Sequence, residues 1–219
     1  MGHITSARGA ITAAAAFAAL VAVATPASAT ATSPGTASVG SASFARLGVP
    51  VTVAPIAQCA VTGPTTATSG AVTASGVRFG GGNSSCTTRV VDEDAGLTET
   101  KSEANGTNFE LSALVLLGGP RLKIGTWKVT CVADNDGSTA GWSFGGLTGL
   151  TALPNPLPTN YVRELKGALN ETLATITFKE VTTPPDGSIT LNVAHIRFLP
   201  PSGYTGDVIV GATACSPTP

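Results

Sequence analysis

The residues most suggestive of chemistry are a serine, an aspartate and a histidine, in the order used by one fold of serine hydrolases. The segment GWSFG at residues 141–145 fits the motif G-x-S-x-G with Ser143 at its centre, and Asp186 and His195 follow it. Such a serine is reactive because it lies on a tight strand-to-helix turn beside an acid and a histidine held by a parallel sheet. Residues 146–158, GLTGLTALPNPLP, are broken by glycine and proline and predict no helix after the serine. The surrounding sequence therefore argues against an esterase.

Strand alternation offers a simpler interpretation of the same segment. If residues 141–145 form a strand, Trp142 and Phe144 share one face and Ser143 lies on the other. We predict that the two aromatic side chains face the core and that Ser143 faces solvent. On this interpretation the chain has no catalytic residue.

His195 is predicted to be a structural or surface residue rather than a catalytic group or a metal ligand. Around it, apolar residues occupy odd positions up to Val193 and even positions from Ala194 onwards. A one-residue bulge at Val193–Ala194 would keep both sets inward and would place His195 on the outer face of its sheet.

The segment DNDGS resembles the start of a calcium-binding loop, because Asp134 and Asp136 place oxygen atoms at alternate positions. A loop of that kind has a glycine at its sixth position and a bidentate acid at its twelfth, where this chain has Thr139 and Gly145. Aspartate, asparagine and glycine are also the residues that best tolerate a tight turn. We therefore predict an ordinary hairpin turn, with no metal and no other cofactor.

The elements that must position these residues are short strands separated by turns. Apolar or alternating segments are bounded by glycine- and proline-rich stretches such as GGGNSS, LGGP and TPPDG. The predicted strands are Phe44–Val53, Ala71–Phe79, Thr87–Val91, Asn108–Leu117, Leu122–Val132, Ala140–Leu147, Leu173–Val181, Ser188–Leu199 and Asp207–Ala214. One helix is predicted over NYVRELKGALNETL, from its apolar spacing and from Asn160 as a cap. The pattern predicts an all-β protein, an antiparallel β-sandwich or barrel-like domain built of repeated hairpins, with at most one short helix.

The cysteines predict a disulfide framework. Their even number and the absence of a C-x-x-C pair favour two bridges over a metal site, and the four residues allow three pairings: they are Cys59, Cys86, Cys131 and Cys215. The segments FELSALVLLGGPRLKIGTWKVTC and ITLNVAHIRFLPPSGYTGDVIVGATAC are each a strand, a turn and a second strand ending in cysteine, and FARLGVPVTVAPIAQC is a looser third copy. If the first two segments occupy related places in the fold, Cys131 and Cys215 lie at related strand ends. This similarity favours the pairs Cys131–Cys215 and Cys59–Cys86.

The first 29 residues have the pattern of a secretory signal peptide. Arg8 precedes the apolar run AITAAAAFAALVAVAT, and Ala27-Ser28-Ala29 provides small residues for cleavage after Ala29. We expect a flexible leader over residues 30–42, rich in small and hydroxyl residues, and a single all-β domain over residues 43–219. No later apolar run approaches the roughly 20 residues that span a bilayer, and no wall-sorting signal is visible, so the mature protein is expected to be secreted.

Charge and aromatic content restrict the classes of partner. The chain has 12 basic and 13 acidic residues, a net charge of −1 and no basic stripe, so nucleic acid is not an expected partner. Aromatic residues make up 5% of the chain, and both tryptophans, Trp127 and Trp142, lie in strands with core-like neighbours. An aromatic glycan platform is therefore not favoured, although a surface glycan or a protein is the class of partner that the sequence leaves open.

Several of these motifs together resemble a known family. They are the signal peptide, the opening F-x-x-x-G-V-P-V-x-V-A-P, and the segments LSALVLLGG with VTCVAD, GSTAGWSFGGL, GSITLNVAHIRF and GDVIVGATAC. They are similar to the actinobacterial secreted proteins of the choice-of-anchor P family, best between Asn108 and Cys215. The resemblance implies an extracellular or cell-surface protein and implies no enzyme activity. The members carry variable C-terminal attachment devices, and no such device is recognisable here.

The sequence thus predicts a secreted, non-catalytic protein that acts at or beyond the bacterial surface. A glycan- or calcium-dependent adhesion module is the alternative, and a small serine esterase is the third hypothesis.

Overall fold

A computed structural model describes residues 35–185 and 187–217, which form two antiparallel sheets packed face to face. The strands are β1 (Gly35–Arg46), β2 (Val49–Ile56), β3 (Cys59–Ala60), β4 (Thr66–Ser69), β5 (Val72–Ala74), β6 (Val77–Phe79), β7 (Gly82–Asp92), β8 (Leu97–Leu111), β9 (Leu122–Asp134), β10 (Gly137–Gly145), β11 (Tyr161–Lys166), β12 (Thr172–Thr182), β13 (Ile189–Phe198) and β14 (Tyr204–Cys215). The helical segments in the described part of the chain are two 3-10 turns, Val115–Leu117 and Pro200–Ser202.

The two sheets are open at their edges, so the architecture is a sandwich rather than a barrel. The first sheet has the order β11-β12-β13-β14-β1-β2, with β3 also paired to β1. The second sheet has the order β10-β9-β8, after which β6 and β7 pair with successive parts of β8 and are extended by β5 and β4. Every ladder is antiparallel, which confirms the predicted all-β class.

Two hairpins occupy matching places in the two sheets, as their sequence similarity predicts. The β8–β9 hairpin in the second sheet and the β13–β14 hairpin in the first each close through a 3-10 turn. Each turn ends at a glycine with left-handed backbone, Gly118 (φ 72°) and Gly203 (φ 67°), a conformation that glycine adopts at little cost. The second strand of each hairpin then carries a cysteine near its end.

Both disulfides connect one sheet to the other. Cys131 of β9 is bonded to Cys215 of β14, and Cys59 of β3 is bonded to Cys86 of β7. All four half-cystines are buried, and this pairing is the one that the repeated hairpins favour.

The predicted flexible leader is wrong for Gly35–Ala42, which form the first two-thirds of β1. This strand lies inside the first sheet, between β14 and the pair β2 and β3, and Ala37, Val39 and Ala42 are buried. Small residues are needed there because the sheets approach closely: a Cβ on Gly40 would lie 2.4 Å from the Phe79 ring. The all-β domain therefore begins at or before Gly35, and the predicted signal peptide lies outside the described residues.

The predicted helix after Asn160 is also wrong, since the segment forms β11, a turn and the start of β12. Leu165 is buried whereas Leu169 is almost fully exposed, so the apolar spacing does not define one helical face. Asn160 (φ 56°) and Asn170 (φ 65°) adopt left-handed backbone at the two ends of β11 and its turn. These conformations interrupt a helix but suit a hairpin.

Strand boundaries differ from the prediction where a short turn divides one predicted strand into two. The predicted strand Phe44–Val53 spans the β1–β2 turn at Leu47 and Gly48, and Ala71–Phe79 comprises β5 and β6. Polar strands escaped prediction, most of all the first two-thirds of β8, Leu97–Gly106, whose inward residues are small.

A bend crosses the first sheet in one row of residues. On either side of this row, inward and outward side chains alternate regularly along each strand. At the row itself two consecutive residues face inward, so the inward positions change from odd to even numbers or the reverse. These pairs are Val39 and Gly40, Val193 and Ala194, and Val210 and Gly211. The ladders skip the pairs of Gly211 with Val39 and with Val193 without a change of register. The predicted parity change in β13 is thus present, but it belongs to a bend shared by neighbouring strands rather than to a bulge in one of them.

Trp127 of β9 fills the space between the sheets at this bend. It is 3% exposed, and its indole N–H donates a hydrogen bond of 3.2 Å to the carbonyl oxygen of Val39. A Cβ on Gly106 of the neighbouring strand would lie 2.2 Å from ring atom Cζ2, and one on Gly211 of the facing sheet 2.7 Å from Cδ1. The ring therefore occupies a slot that exists only because both neighbours are glycines.

We expect Gly106→Ala to lower the free energy of unfolding by about 1–3 kcal/mol, because the added methyl group overlaps the indole ring. Gly141→Ala is the matched control, since a Cβ there meets its nearest neighbour, the Cβ of Thr130, at 3.9 Å. Its effect should stay within about 0.5 kcal/mol. Urea unfolding of the oxidised proteins measures both values, and equal effects would contradict the tight slot around Trp127.

Candidate functional site

Ser143 belongs to a row of polar side chains across the outer face of the second sheet, which we call the polar row. Ser143 lies opposite Lys128, Lys128 opposite Asn105, and Asn105 opposite Asn83. Ser143, Lys128 and Asn83 are exposed, and Asn105 is half-buried. The adjacent residues of each strand face inward, so Ser143 points to solvent as the alternation predicts.

The polar row lines a wide depression of about 530 Å³ on this face. Thr107 and Thr126 of the next outward row contribute further hydroxyl-bearing side chains. The rest of the lining comes from the glycines and aromatic residues Gly82, Gly106, Gly145, Trp127 and Phe144. A lining of amide, hydroxyl and ammonium groups can bind a polar ligand through hydrogen bonds.

Glu103 holds Lys128 beside this depression. Its Oε1 accepts hydrogen bonds from Lys128 Nζ at 2.9 Å and from Asn105 Nδ2 at 3.1 Å. Its Oε2 lies 3.4 Å from Lys101 Nζ and accepts a hydrogen bond of 3.4 Å from Thr130. Partial burial acts to raise the pKa of Glu103, but the hydrogen bonds from Lys128 and Asn105 and the charges of Lys128 and Lys101 outweigh it and lower the pKa to about 2. The carboxylate therefore stays ionised and holds Lys128 and Asn105, the two middle residues of the polar row, in place.

His195 lies on the outer face of the first sheet, between carboxylates on both neighbouring strands. Its Nδ1 lies 2.9 Å from Glu180 Oε2 on β12, and its Nε2 lies 3.6 Å from Asp207 Oδ2 on β14. Asn192 donates a further hydrogen bond of 2.7 Å to Glu180 Oε2. The His195 side chain is 12% exposed, so the imidazole is largely shielded from water.

The carboxylates favour the charged imidazolium. The hydrogen bond to Glu180 is the largest cause that raises the pKa of His195, burial acts to lower it, and the charges of Glu180 and Asp207 raise it against that of Arg197. The same hydrogen bond is the largest cause that lowers the pKa of Glu180. When His195 is protonated, the two side chains form a partly buried ion pair on the sheet surface.

Ser143 and His195, which the esterase hypothesis requires to be in contact, face opposite sides of the sandwich. Ser143 points outward from the second sheet, opposite Lys128 on the neighbouring strand. His195 points outward from the first sheet, where Glu180 engages its Nδ1. Asp186 lies outside the described residues. The hydrogen-bond geometry of a serine nucleophile with its base is therefore not formed by these two side chains.

The DNDGS segment forms the β9–β10 hairpin turn, as predicted. Asp134 Oδ1 accepts hydrogen bonds from the backbone N–H groups of Asp136 (2.9 Å) and Gly137 (3.1 Å), so this carboxylate stabilises the turn. The described residues contain no group of three or more histidine, cysteine, aspartate or glutamate side chains placed to hold a metal ion.

The tryptophans differ in exposure. Trp127 is buried, whereas Trp142 and Phe144 of β10 are half-buried and pack against the edge of the core. Phe144 stacks on Phe178 of the facing sheet, with ring centroids 5.7 Å apart. These contacts direct the β10 aromatic residues toward the space between the sheets, and Phe144 also lines the depression beside Ser143.

Sequence reasoning missed the polar row and the ion-pair cluster around His195. A usable signal was present in TETKSEANG, where alternation places Lys101, Glu103 and Asn105 on one face. The cluster around His195 depends on the order β12-β13-β14, which brings Glu180 and Asp207 to opposite sides of one residue.

No protein family model, curated protein or solved structure matches this chain. In the described part of the chain no helix is long and apolar enough to cross a membrane.

We expect the contribution of His195 to stability to depend on pH. Because its pKa is raised in the folded state, the contribution is fully present below the ordinary value of 6.5 and is lost as the pH rises through the folded value. Because the pKa of Glu180 is lowered, its own contribution is present above the ordinary value of 4.5 and is lost as the pH falls through the folded value.

His195→Gln should therefore destabilise the protein more at pH 6 than at pH 9, values on either side of the transition expected from the ordinary histidine pKa of about 6.5. Chemical unfolding at the two pH values measures this difference. Thr177→Val, one strand away and opposite His195 in the ladder, is the control and should show no such dependence. A pH-independent effect of His195→Gln would contradict the ion pair.

Proposed function

We propose that this chain is the precursor of a secreted, disulfide-stapled and non-catalytic protein that acts at or beyond the bacterial surface. The observation that supports it best is the orientation of Ser143 and His195 toward opposite faces of the sandwich. Ser143 lies on a strand opposite Lys128, and His195 lies between two carboxylates on the other sheet. The hydrogen bond from serine to histidine that acyl transfer requires is therefore not formed.

Export is supported by the N-terminal sequence and by the disulfides. The first 29 residues have the n-region, apolar run and small-residue site of a signal peptide. The four cysteines are all paired, an arrangement that persists in oxidising compartments. Membership of the choice-of-anchor P family is part of this proposal, on the motifs that resemble it.

A glycan-binding role is the second candidate, and the depression beside the polar row is the observation that favours it. Asparagine, lysine and hydroxyl side chains can exchange hydrogen bonds with the hydroxyl groups of a sugar. Asn105→Ala and Lys128→Gln should then weaken binding to surface polysaccharide, whereas Thr177→Ala on the opposite face should not. Equal binding by all variants, measured by polysaccharide pull-down, would remove this candidate.

We expect Ser143→Ala to leave stability unchanged within about 0.5 kcal/mol, because the side chain is exposed and on an edge strand. Trp142→Ala should cost roughly 2 kcal/mol, since the ring buries only part of its area against the core. Thermal unfolding gives the ranking. A fluorophosphonate probe should not label Ser143 in the wild-type protein, and stoichiometric labelling there would establish the hydrolase hypothesis instead.

We also expect the secreted protein to begin at Thr30 and to contain no free thiol. Intact mass, measured with and without alkylation under denaturing conditions, tests both points. Alkylation before any reduction would contradict the paired cysteines, and a mass that includes residues 1–29 would contradict cleavage of the signal peptide.

A further inference from the structure

Three leucines stand exposed at the tips of separate turns. Among the described residues, Leu47 is 83% exposed, Leu116 is 80% exposed and Leu169 is 90% exposed, more than any other large hydrophobic residue. Leu47 lies at the β1–β2 turn, Leu116 in the 3-10 turn after β8, and Leu169 at the β11–β12 turn. Single exposed leucines are common on protein surfaces, but three protruding turn residues call for a common explanation if they share one surface.

Direct contacts place the three turns at the same end of the sandwich. The backbone N–H of Leu47 donates to the carbonyl oxygen of Gly203, next to Tyr204, at 3.1 Å. The Tyr204 hydroxyl in turn donates to the carbonyl oxygen of Ala113, just before the 3-10 turn, at 3.1 Å. Ala168, beside Leu169, donates its backbone N–H to Leu117 of that turn, also at 3.1 Å. We call this surface the leucine end.

Leu47 has a backbone conformation that a leucine side chain disfavours. Leu47 (φ 48°) and Gly48 (φ 83°) form a two-residue turn with left-handed backbone at both positions, between the paired residues Arg46 and Val49. Asparagine or aspartate followed by glycine is preferred in such a turn, because a leucine side chain disfavours left-handed backbone. The leucine therefore costs stability while its side chain remains in solvent.

Arg46, a cation at the leucine end, forms no ion pair with the described residues, whereas the charge of Lys166 is balanced by Glu164. The Arg46 guanidinium lies 5.7 Å above the centre of the Tyr204 ring, directly before Leu47 in the chain. Lys166 precedes the β11–β12 turn and is about half exposed, 3.2 Å from Glu164. Glu171, the carboxylate within that turn, is only partly exposed.

We propose that the leucine end docks on the surface of a lipid bilayer and inserts Leu47, Leu116 and Leu169 below the headgroups. Separate convex tips suit a fluid acyl layer, which adapts to each of them, whereas a protein would need three matching pockets. Insertion removes apolar side chains from water, and Arg46, directly before Leu47, then lies near the anionic phosphates. The inference extends the proposed extracellular role to one particular surface.

Co-sedimentation of the purified mature protein with phosphatidylcholine vesicles that contain phosphatidylglycerol tests this inference. The wild-type protein should bind, and Leu47→Asn with Leu169→Asn should weaken binding about tenfold or more. Leu47→Asn alone should weaken binding and also raise the midpoint of thermal unfolding, because asparagine tolerates the left-handed turn. Loss of binding together with higher stability separates docking from unfolding.

Val90→Asn with Val91→Asn is the matched control, since these half-exposed valines lie in the β7–β8 hairpin at the opposite end of β8. It should bind vesicles like the wild type. Leu116→Gln with Leu169→Asn is a second test that leaves the β1–β2 turn intact. Absence of wild-type binding, or wild-type binding by both leucine double variants, would overturn the proposal. Export and thiol content are measured separately by intact mass, so failure of docking is distinguishable from failure of the proposed secretion.

Discussion

The hydrogen bond from the Trp127 indole to Val39 is the interaction on which the geometry of both sheets depends. A buried indole N–H without an acceptor would cost about 1–3 kcal/mol, so the largest side chain in this core needs a carbonyl oxygen aimed at it. In a regular ladder the backbone carbonyl groups accept hydrogen bonds from neighbouring strands. The bend in the first sheet, where the register skips Val39 and Gly211, leaves the Val39 carbonyl positioned toward the core. The same bend brings Gly211 close to the indole ring, which no other residue type would allow.

The second sheet accommodates the same ring from the other side. Its ladder skips Asn108 and Gly125, and Asn108 has φ 53°, so a bend is present next to Trp127 here as well. The outer face beside this bend carries the depression and the polar row. The depression and the packing around Trp127 thus both adjoin this bend in the second sheet. The disulfides act on the unfolded chain instead, with loops of 84 and 27 residues worth about 4–5 and about 3–4 kcal/mol in the chain-entropy treatment.

The predictable and unpredictable parts of this fold differ in the range of the interactions that determine them. Strands such as β13 and β14 were recognisable because each alternates along its own length, and the parity change at Val193–Ala194 placed His195 correctly on an outer face. The cysteine pairing followed from the similarity of two hairpins. In contrast, β1 begins with GTASVG, whose small residues are typical of a flexible leader. These small residues form a strand because Phe79 and Trp127, which are distant in sequence, occupy the space beside them. The sequence of the segment itself gives no sign of that contact. The β11 segment shows the same effect. Its apolar spacing is compatible with a helix, but it forms a strand because it pairs with β12.

The pairing of Gly35 with Cys215 places the two ends of the described chain side by side in one row of the β1–β14 ladder. A pulling force on both ends would separate this ladder row by row, as a zipper opens, which offers little mechanical resistance. The crosslinks would limit how far such opening extends. Force that reaches Cys59 passes directly to Cys86, and force that reaches Cys131 passes directly to Cys215, so the residues inside the two loops bear no load. More than half of the chain between Gly35 and Cys215 is enclosed in this way. Oxidised protein would thus behave as a short tether with a fixed maximal extension, and reduction would more than double its length under load.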